Sequence, residues 1–375
     1  MTVSDTTPDR KKNSFLLFVA YLQIIGIILV VFGHSFHEYP DGQNGTSLTV
    51  YRMMHSFRMP LFMFTSGFLM AYTTASTQKS WGSFTKGKIR RLLLPFTFLT
   101  LLTFVPRALL SDIADDSIHL TSGEFIRAFF DSDCLPIPFF WFIQSSFTLL
   151  VVIYAVIRLG RKHNIKPYVY YTVVLIVFVA ANTSDIVFTK FFSLNMTVSL
   201  SVFFVAGCIY FEYMTRIDRI IHWEKTWATV IFALLWSASF CLGDSYGMNM
   251  YYICGLTGIG MIISVAKTLE RKKIRVLDHL IGSNYMIFLL SWYFNVITQQ
   301  VLSHIITLPW WIHTALSLVC GIYFPWIIYI YMQHNSHARP VKAAAFILGQ
   351  SLKPRKTSVA ATYVDDSLDK VKTSY

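Results

Sequence analysis

The chain has 375 residues, of which 54% are hydrophobic and only 14% charged, and it carries a net charge of +12 at pH 7. A soluble domain carries about 25% charged residues, so this composition excludes an ordinary soluble globule and points to an all-α, polytopic membrane protein. The positive charge does not signal a nucleic-acid binder, because Lys and Arg sit in short runs between apolar stretches and not on one soluble face.

A membrane-spanning helix needs about 20 apolar residues. Ten stretches meet that length in chain order: roughly 15–36, 54–74, 92–110, 138–157, 168–188, 191–211, 226–243, 249–266, 284–303 and 311–332. Only the short break at Thr189–Lys190 divides the fifth from the sixth. With Met1 on the cytoplasmic side, 27 of the 32 Lys and Arg residues fall on inner segments. The outer ones are Arg52, Arg58, Arg107, Arg127 and Lys190. That bias is the one expected of a multi-pass plasma-membrane protein with both termini cytoplasmic.

The first span lacks a small-residue cleavage pattern and is read as retained. The organisation that follows is a cytoplasmic segment (1–14), a membrane domain (15–333) and a polar, aperiodic tail (334–375), expected to be disordered and attracted to anionic lipid. The five cysteines are scattered and form neither a disulfide framework nor a zinc set, so they read as small apolar residues. NGT at Asn44 and NTS at Asn182 are formal glycosylation triplets of a kind that arises often by chance.

The first span closes on GHSFHE, Gly33 to Glu38. His34 lies near its outer end, and Gln23, eleven residues earlier, falls within about 20° of it on one helix face. If the helix continues, His37 and Glu38 stand one turn above His34, where Glu38 can orient an imidazole. A neutral histidine is the usual general base near physiological pH; the plainer alternative is a hydrogen-bonded helix-end residue. The second span, YRMMHSFRMPLFMFTSGFLMA from Tyr51, carries His55 and Arg58 three residues apart, on one face just before Pro60. Ionisable groups inside a membrane are costly and mark function by default, although an arginine at a helix end also snorkels to the interface. Thr65 shares the face of Arg58.

Between the third and fourth spans runs an acidic outer loop, in which SGEFIRAFF (Ser122–Phe130) suits a short interfacial helix. The aromatic run containing Trp141 and Gln144 reads first as an interfacial belt and second as site lining. On the inner side, KGKIRRLLLP (Lys86–Pro95) enters the third span. Topology alone accounts for its charge, yet Lys88 and Arg91 are one turn apart, and together with Arg90 they have the chemistry to hold phosphate.

These pieces resemble the acyltransferase 3 family of integral membrane acyltransferases. The resemblance runs from about Phe15 to Met332 and rests on ILVVFGHS (Ile28–Ser35), FRMPLFMFTSGFL (Phe57–Leu69), RRLLLPF (Arg90–Phe96), FWF (Phe140–Phe142) and IGSNYMIFLLSW (Ile281–Trp292). It implies transfer of an acyl group, commonly acetyl, from cytoplasmic acyl-CoA to a hydroxyl of a glycan or glycolipid, with His34 essential. Three departures stand out: Gln23 where many members have Arg, Arg58 in place of the second-span histidine, and Ser291–Trp292 where a late histidine is common. The expected roles are His34 as base; His55, Arg58, Glu38, Gln23 and Trp141 toward the acceptor or the developing charge; and Lys88, Arg90 and Arg91 toward acyl-CoA, with no metal and no permanently bound cofactor. Membrane lipid is a further expected partner, nucleic acid is not, and a homo-oligomer is compatible with the reading. The alternative function is export of a polysaccharide or glycolipid, although neither inverted repeats nor matched broken helices are evident.

Overall fold

A computed structural model describes residues 8–36, 45–75, 79–109, 121–184, 186–246, 248–305 and 308–352. In chain order the helices are α1 (Pro8–Ser35), α2 (Gly45–Ala75), α3 (Trp81–Lys88), α4 (Leu94–Leu109), α5 (Ser122–Phe130), α6 (Trp141–Lys162), α7 (Pro167–Thr183), α8 (Leu194–Ile221), α9 (Thr226–Tyr246), α10 (Met248–Arg271), α11 (Asn284–Ile305), α12 (Trp310–His334) and α13 (Arg339–Ile347). Among the described residues there is no strand, only an isolated bridge between Asp131 and Phe191.

Each of the ten predicted spans coincides with a helix. Among the described residues, seven of these are long and apolar enough to cross a membrane, by length and composition: α1, the α3–α4 run, α6, α8, α9, α10 and α12. Helix α7 is apolar but shorter, at 17 residues. Helices α2 and α11 have the length but interrupt their apolar character with polar side chains. Those polar side chains build the site described below. The doubtful break at Thr189–Lys190 is real: α7 stops at Thr183 and α8 starts at Leu194. Asn182 donates to the carbonyls of Phe178 (2.8 Å) and Val198 (2.9 Å), so its amide is engaged between α7 and α8. Asn44 lies outside the described residues.

The contacts divide the chain into two compact units. The first holds the residues up to Thr65 and Met214–Asn335. Here α1 lies against α10, α11 and α12, α9 pairs with α10, and α11 pairs with α12. Phe18, Tyr21, Leu22, Ile24, Ile27, Val30 and Val31 of α1 are all buried. A helix apolar on every side belongs inside a bundle. The α10 residue Gly258 admits α2: a Cβ there would lie 2.5 Å from the Cβ of Phe57.

The second unit holds Ser66–Tyr213 and Ser336–Leu352. Gly67 lets α2 meet α8 backbone to backbone, since a Cβ would lie 1.9 Å from the Phe204 carbonyl oxygen. The Cys208 thiol donates to the Gly67 carbonyl at 3.3 Å. A π-helical turn at Ile89–Leu93 joins α3 to α4, with the Leu94 amide bonded to the Ile89 carbonyl. Pro95 explains where it falls, because proline has no N–H to offer the carbonyl four residues back, that of Arg91. Gly349, at φ +61°, closes over that carbonyl, and a Cβ there would lie 2.6 Å from it. The interfacial helix predicted from Ser122 forms as α5, capped by Thr121, whose hydroxyl accepts from the Glu124 amide.

One expectation is corrected here. The stretch read as the start of a disordered tail forms α13, with Val341 and Ala345 buried and the helix packed on α4. Its apolar residues recur four apart, and that spacing was the signal. The tail beyond Leu352 lies outside the described residues.

Candidate functional site

Three helices of the first unit converge on the end of α1. Arg58, on α2, is only 3% exposed. Its guanidinium fills the place where residue 33 would carry a side chain: a Cβ on Gly33 would lie 1.0 Å from Nη1 and 2.3 Å from Cζ. Glycine at position 33 is therefore a requirement of this arrangement, and it sets the guanidinium against the backbone one residue before His34. Tyr51, two turns back on α2, interacts with Arg58, its ring centroid 5.3 Å from Cζ. Tyr251 of α10 is close enough to interact with its charge. The Nε and Nη1 groups of Arg58 are buried and have no hydrogen-bond acceptor among the described residues. A buried cation with open donors is expensive to keep, so these two nitrogens are the most informative feature of the site.

His34 is half-buried at the C-terminal turn of α1. Arg58 and His55 both stand near enough to act on it electrostatically. His55 is exposed on α2 with its ring 5.6 Å from that of Tyr51. The arrangement thus brings His34, His55 and Arg58 together, as their positions near two span ends predicted.

Other expected members stand apart. Gln23 is half-buried on α1, about 16 Å away along the axis at the helical rise. Glu38 and His37 lie outside the described residues. Thr65 does not extend a polar path, because its hydroxyl donates to the Leu61 carbonyl of its own helix. Trp141 belongs to the second unit, where it is half-buried edge-on to Phe142. Gln144 of the same helix is structural: its Nε2 donates to the Phe129 carbonyl at 2.7 Å and its Oε1 accepts from Ser193.

Sequence reasoning missed the support beneath His34. Helix α11 presents Ser291, Asn295 and Gln299, all buried and each four residues from the next. Gln299 Nε2 donates to the His34 carbonyl at 3.1 Å, and Asn295 Nδ2 lies 3.5 Å from the Val31 carbonyl. The last four carbonyls of a helix have no partner within it, so Gln299 caps α1 from the side at His34. The Val31 carbonyl also accepts from the Ser35 hydroxyl at 2.8 Å. Gln299 also lies 3.4 Å from the Ser317 hydroxyl on α12, where His313 and Gly321 continue the same buried face. Gly321 makes room for Asn295, whose Oδ1 would sit 2.0 Å from a Cβ there. The late histidine expected from the resemblance is replaced by this polar seam.

The second unit carries the basic group. Lys88 lies over the Phe84 ring at 5.1 Å and Arg90 over the Phe346 ring at 4.4 Å. Arg90 and Arg91 are exposed on the π turn. In both contacts it is the charged head, ammonium or guanidinium, that faces the ring, a cation–π contact that holds the cation in place.

A family model described as an acyltransferase domain matches residues 16–330. The chain belongs to the acyltransferase 3 family. It is therefore a membrane acyltransferase, and the match takes in His34, His55, Arg58, Lys88, Arg90, Arg91, Asn295 and Gln299 while ending before α13. Neither the curated proteins nor the solved structures gave a match. Within the acyltransferase 3 frame, Gly33 of α1 and Arg58 of α2 form an interlocking pair.

Proposed function

We propose that the protein moves an acyl group, acetyl in the simplest case, from acyl-CoA to a hydroxyl of a glycan or glycolipid, with His34 as general base. His34 takes the proton as the acceptor oxygen attacks the thioester carbonyl. The carbonyl oxygen becomes an oxyanion, and the open N–H groups of Arg58 are the donors for it. Collapse breaks the carbon–sulfur bond, and the departing CoA thiolate recovers the proton from the imidazolium. Donors fixed in a dry site before charge develops are a large source of rate enhancement. His55 is assigned to holding the acceptor.

One observation carries this reading: a guanidinium seated on Gly33, beside His34, with Nε and Nη1 buried and without an acceptor among the described residues. For donor phosphates, the group assigned is Lys88, Arg90 and Arg91, exposed or half-exposed cations with arginine's geometry for phosphate. Charge distribution along the chain supports cytoplasmic termini in a plasma membrane.

The test is incubation of membranes holding the protein with acetyl-labelled acetyl-CoA. The expected result is label in a glycan or lipid fraction with release of free CoA, both lost in His34→Ala at unchanged protein level. Movement of the glycan across the membrane with no CoA released would replace this reading by the export alternative.

A further inference from the structure

An open crevice of the second unit, between α3 and the end of α6, sets apolar side chains beside two cations. Its lining is Trp81, Ala155, Arg158, Leu159 and Lys162, and its volume is about 160 Å³. Along α6, Val152, Ala155, Leu159 and Lys162 follow one another at intervals of three or four, so they form a single stripe on one helix face. The stripe starts apolar, dips at the small Ala155 and ends on a lysine. Val152 is 46% exposed and Leu159 58% exposed.

Trp81 forms the opposite wall. It is 47% exposed, yet its indole is fixed in place by donation from Nε1 to the Val151 carbonyl at 3.3 Å. Arg158 is fixed as well, donating from Nη1 to the Lys79 carbonyl at 3.0 Å, which also accepts from Tyr154 at 2.7 Å. Arg161, one turn along, donates to the Thr74 carbonyl at 2.8 Å. The crevice is thus an apolar trough closed at one end by Arg158, already ordered, and by Lys162, exposed.

We infer that this crevice binds one anionic phospholipid, with an acyl chain along Val152–Ala155–Leu159 under the Trp81 indole and the headgroup phosphate between Arg158 and Lys162. Tryptophan at headgroup depth and cations beyond it match the layering of a bilayer edge. The orientation proposed above puts this end at the cytoplasmic leaflet, where anionic lipids attract basic residues. The inference concerns α3 and α6 alone and stands whether or not His34 is the base.

The experiment uses the purified full chain, stripped of lipid in detergent and titrated with phosphatidylglycerol or phosphatidylcholine, with bound lipid counted by native mass spectrometry. One phosphatidylglycerol is retained in preference to phosphatidylcholine. Lys162→Gln, at an exposed position that leaves the fold alone, lowers that retention about fivefold, and Trp81→Ala lowers it with the charges intact. Equal retention of the two lipids, or retention unchanged in both variants, overturns the inference. Displacement of phosphatidylglycerol by CoA also overturns it, by assigning the crevice to the donor's phosphates.

Discussion

Arg58 and Arg161 are the same residue in opposite circumstances. Arg161 is exposed at the end of α6 and ties the Thr74 carbonyl, in the last turn of α2, to its own helix. Arg58 is buried on α2, leans on Tyr51, occupies the side-chain space of a glycine, and leaves Nε and Nη1 without an acceptor among the described residues. An exposed arginine that closes a hydrogen bond explains local architecture. A buried one with open donors asks what binds there. The difference locates function more sharply than charge or position along the chain.

The largest expected effect tests whether His34 belongs with Arg58. His34→Ala should lower transfer by about 10³-fold, within the range for loss of a general base, while the protein remains in the membrane at normal abundance; labelled acetyl transfer measures it. Next, Arg58→Ala should cut the rate by about 10²-fold, as removal of an oxyanion donor does. Arg58→Lys should recover little, because an ammonium does not present the guanidinium fork. Arg161→Ala completes the comparison: it should remove about 1 kcal/mol of stability through one lost hydrogen bond and leave the catalytic rate alone, as thermal unfolding and initial-rate assays on the same preparation will show.

A milder perturbation is Gln299→Ala. It leaves the His34 carbonyl without its cap and should slow transfer about tenfold through misplacement, with little change in the apparent KM for the donor. Smaller still, Arg90→Ala and Arg91→Ala should each raise the apparent KM for acyl-CoA about fivefold with kcat preserved, the signature of binding lost equally from ground and transition states. A fall in kcat alone would remove these residues from the donor site.

The all-α membrane architecture was legible because apolar length is a strong signal, and seven helices among the described residues are long and apolar enough to cross a membrane. His34, His55 and Arg58 were legible for a related reason: ionisable groups in an apolar stretch stand out. Gly33 was not, because its role exists only once a side chain from α2 arrives beside it. Asn295 and Gln299 were not assigned either, since their partners Val31 and His34 lie far away in sequence. Their spacing of four within an otherwise apolar span was nevertheless visible, and two polar residues on one face of a buried helix need partners. Helix α13 escaped notice because a polar, Lys-containing stretch hides its short apolar face, which gains meaning only against α4. The π turn escaped too, since Pro95 announces a perturbed helix without saying which perturbation results.

The central claim is that Gly33 serves catalysis by giving the Arg58 guanidinium its seat. The most direct measurement is a double-mutant cycle on acetyl transfer with Gly33→Ala, Arg58→Ala and the pair together. A methyl at position 33 meets the far end of a flexible side chain, so α1 holds and the guanidinium moves. The account predicts that Gly33→Ala slows the wild-type enzyme about as much as Arg58→Ala does and slows the Arg58→Ala enzyme no further. Additive losses, or full activity in Gly33→Ala, would contradict it.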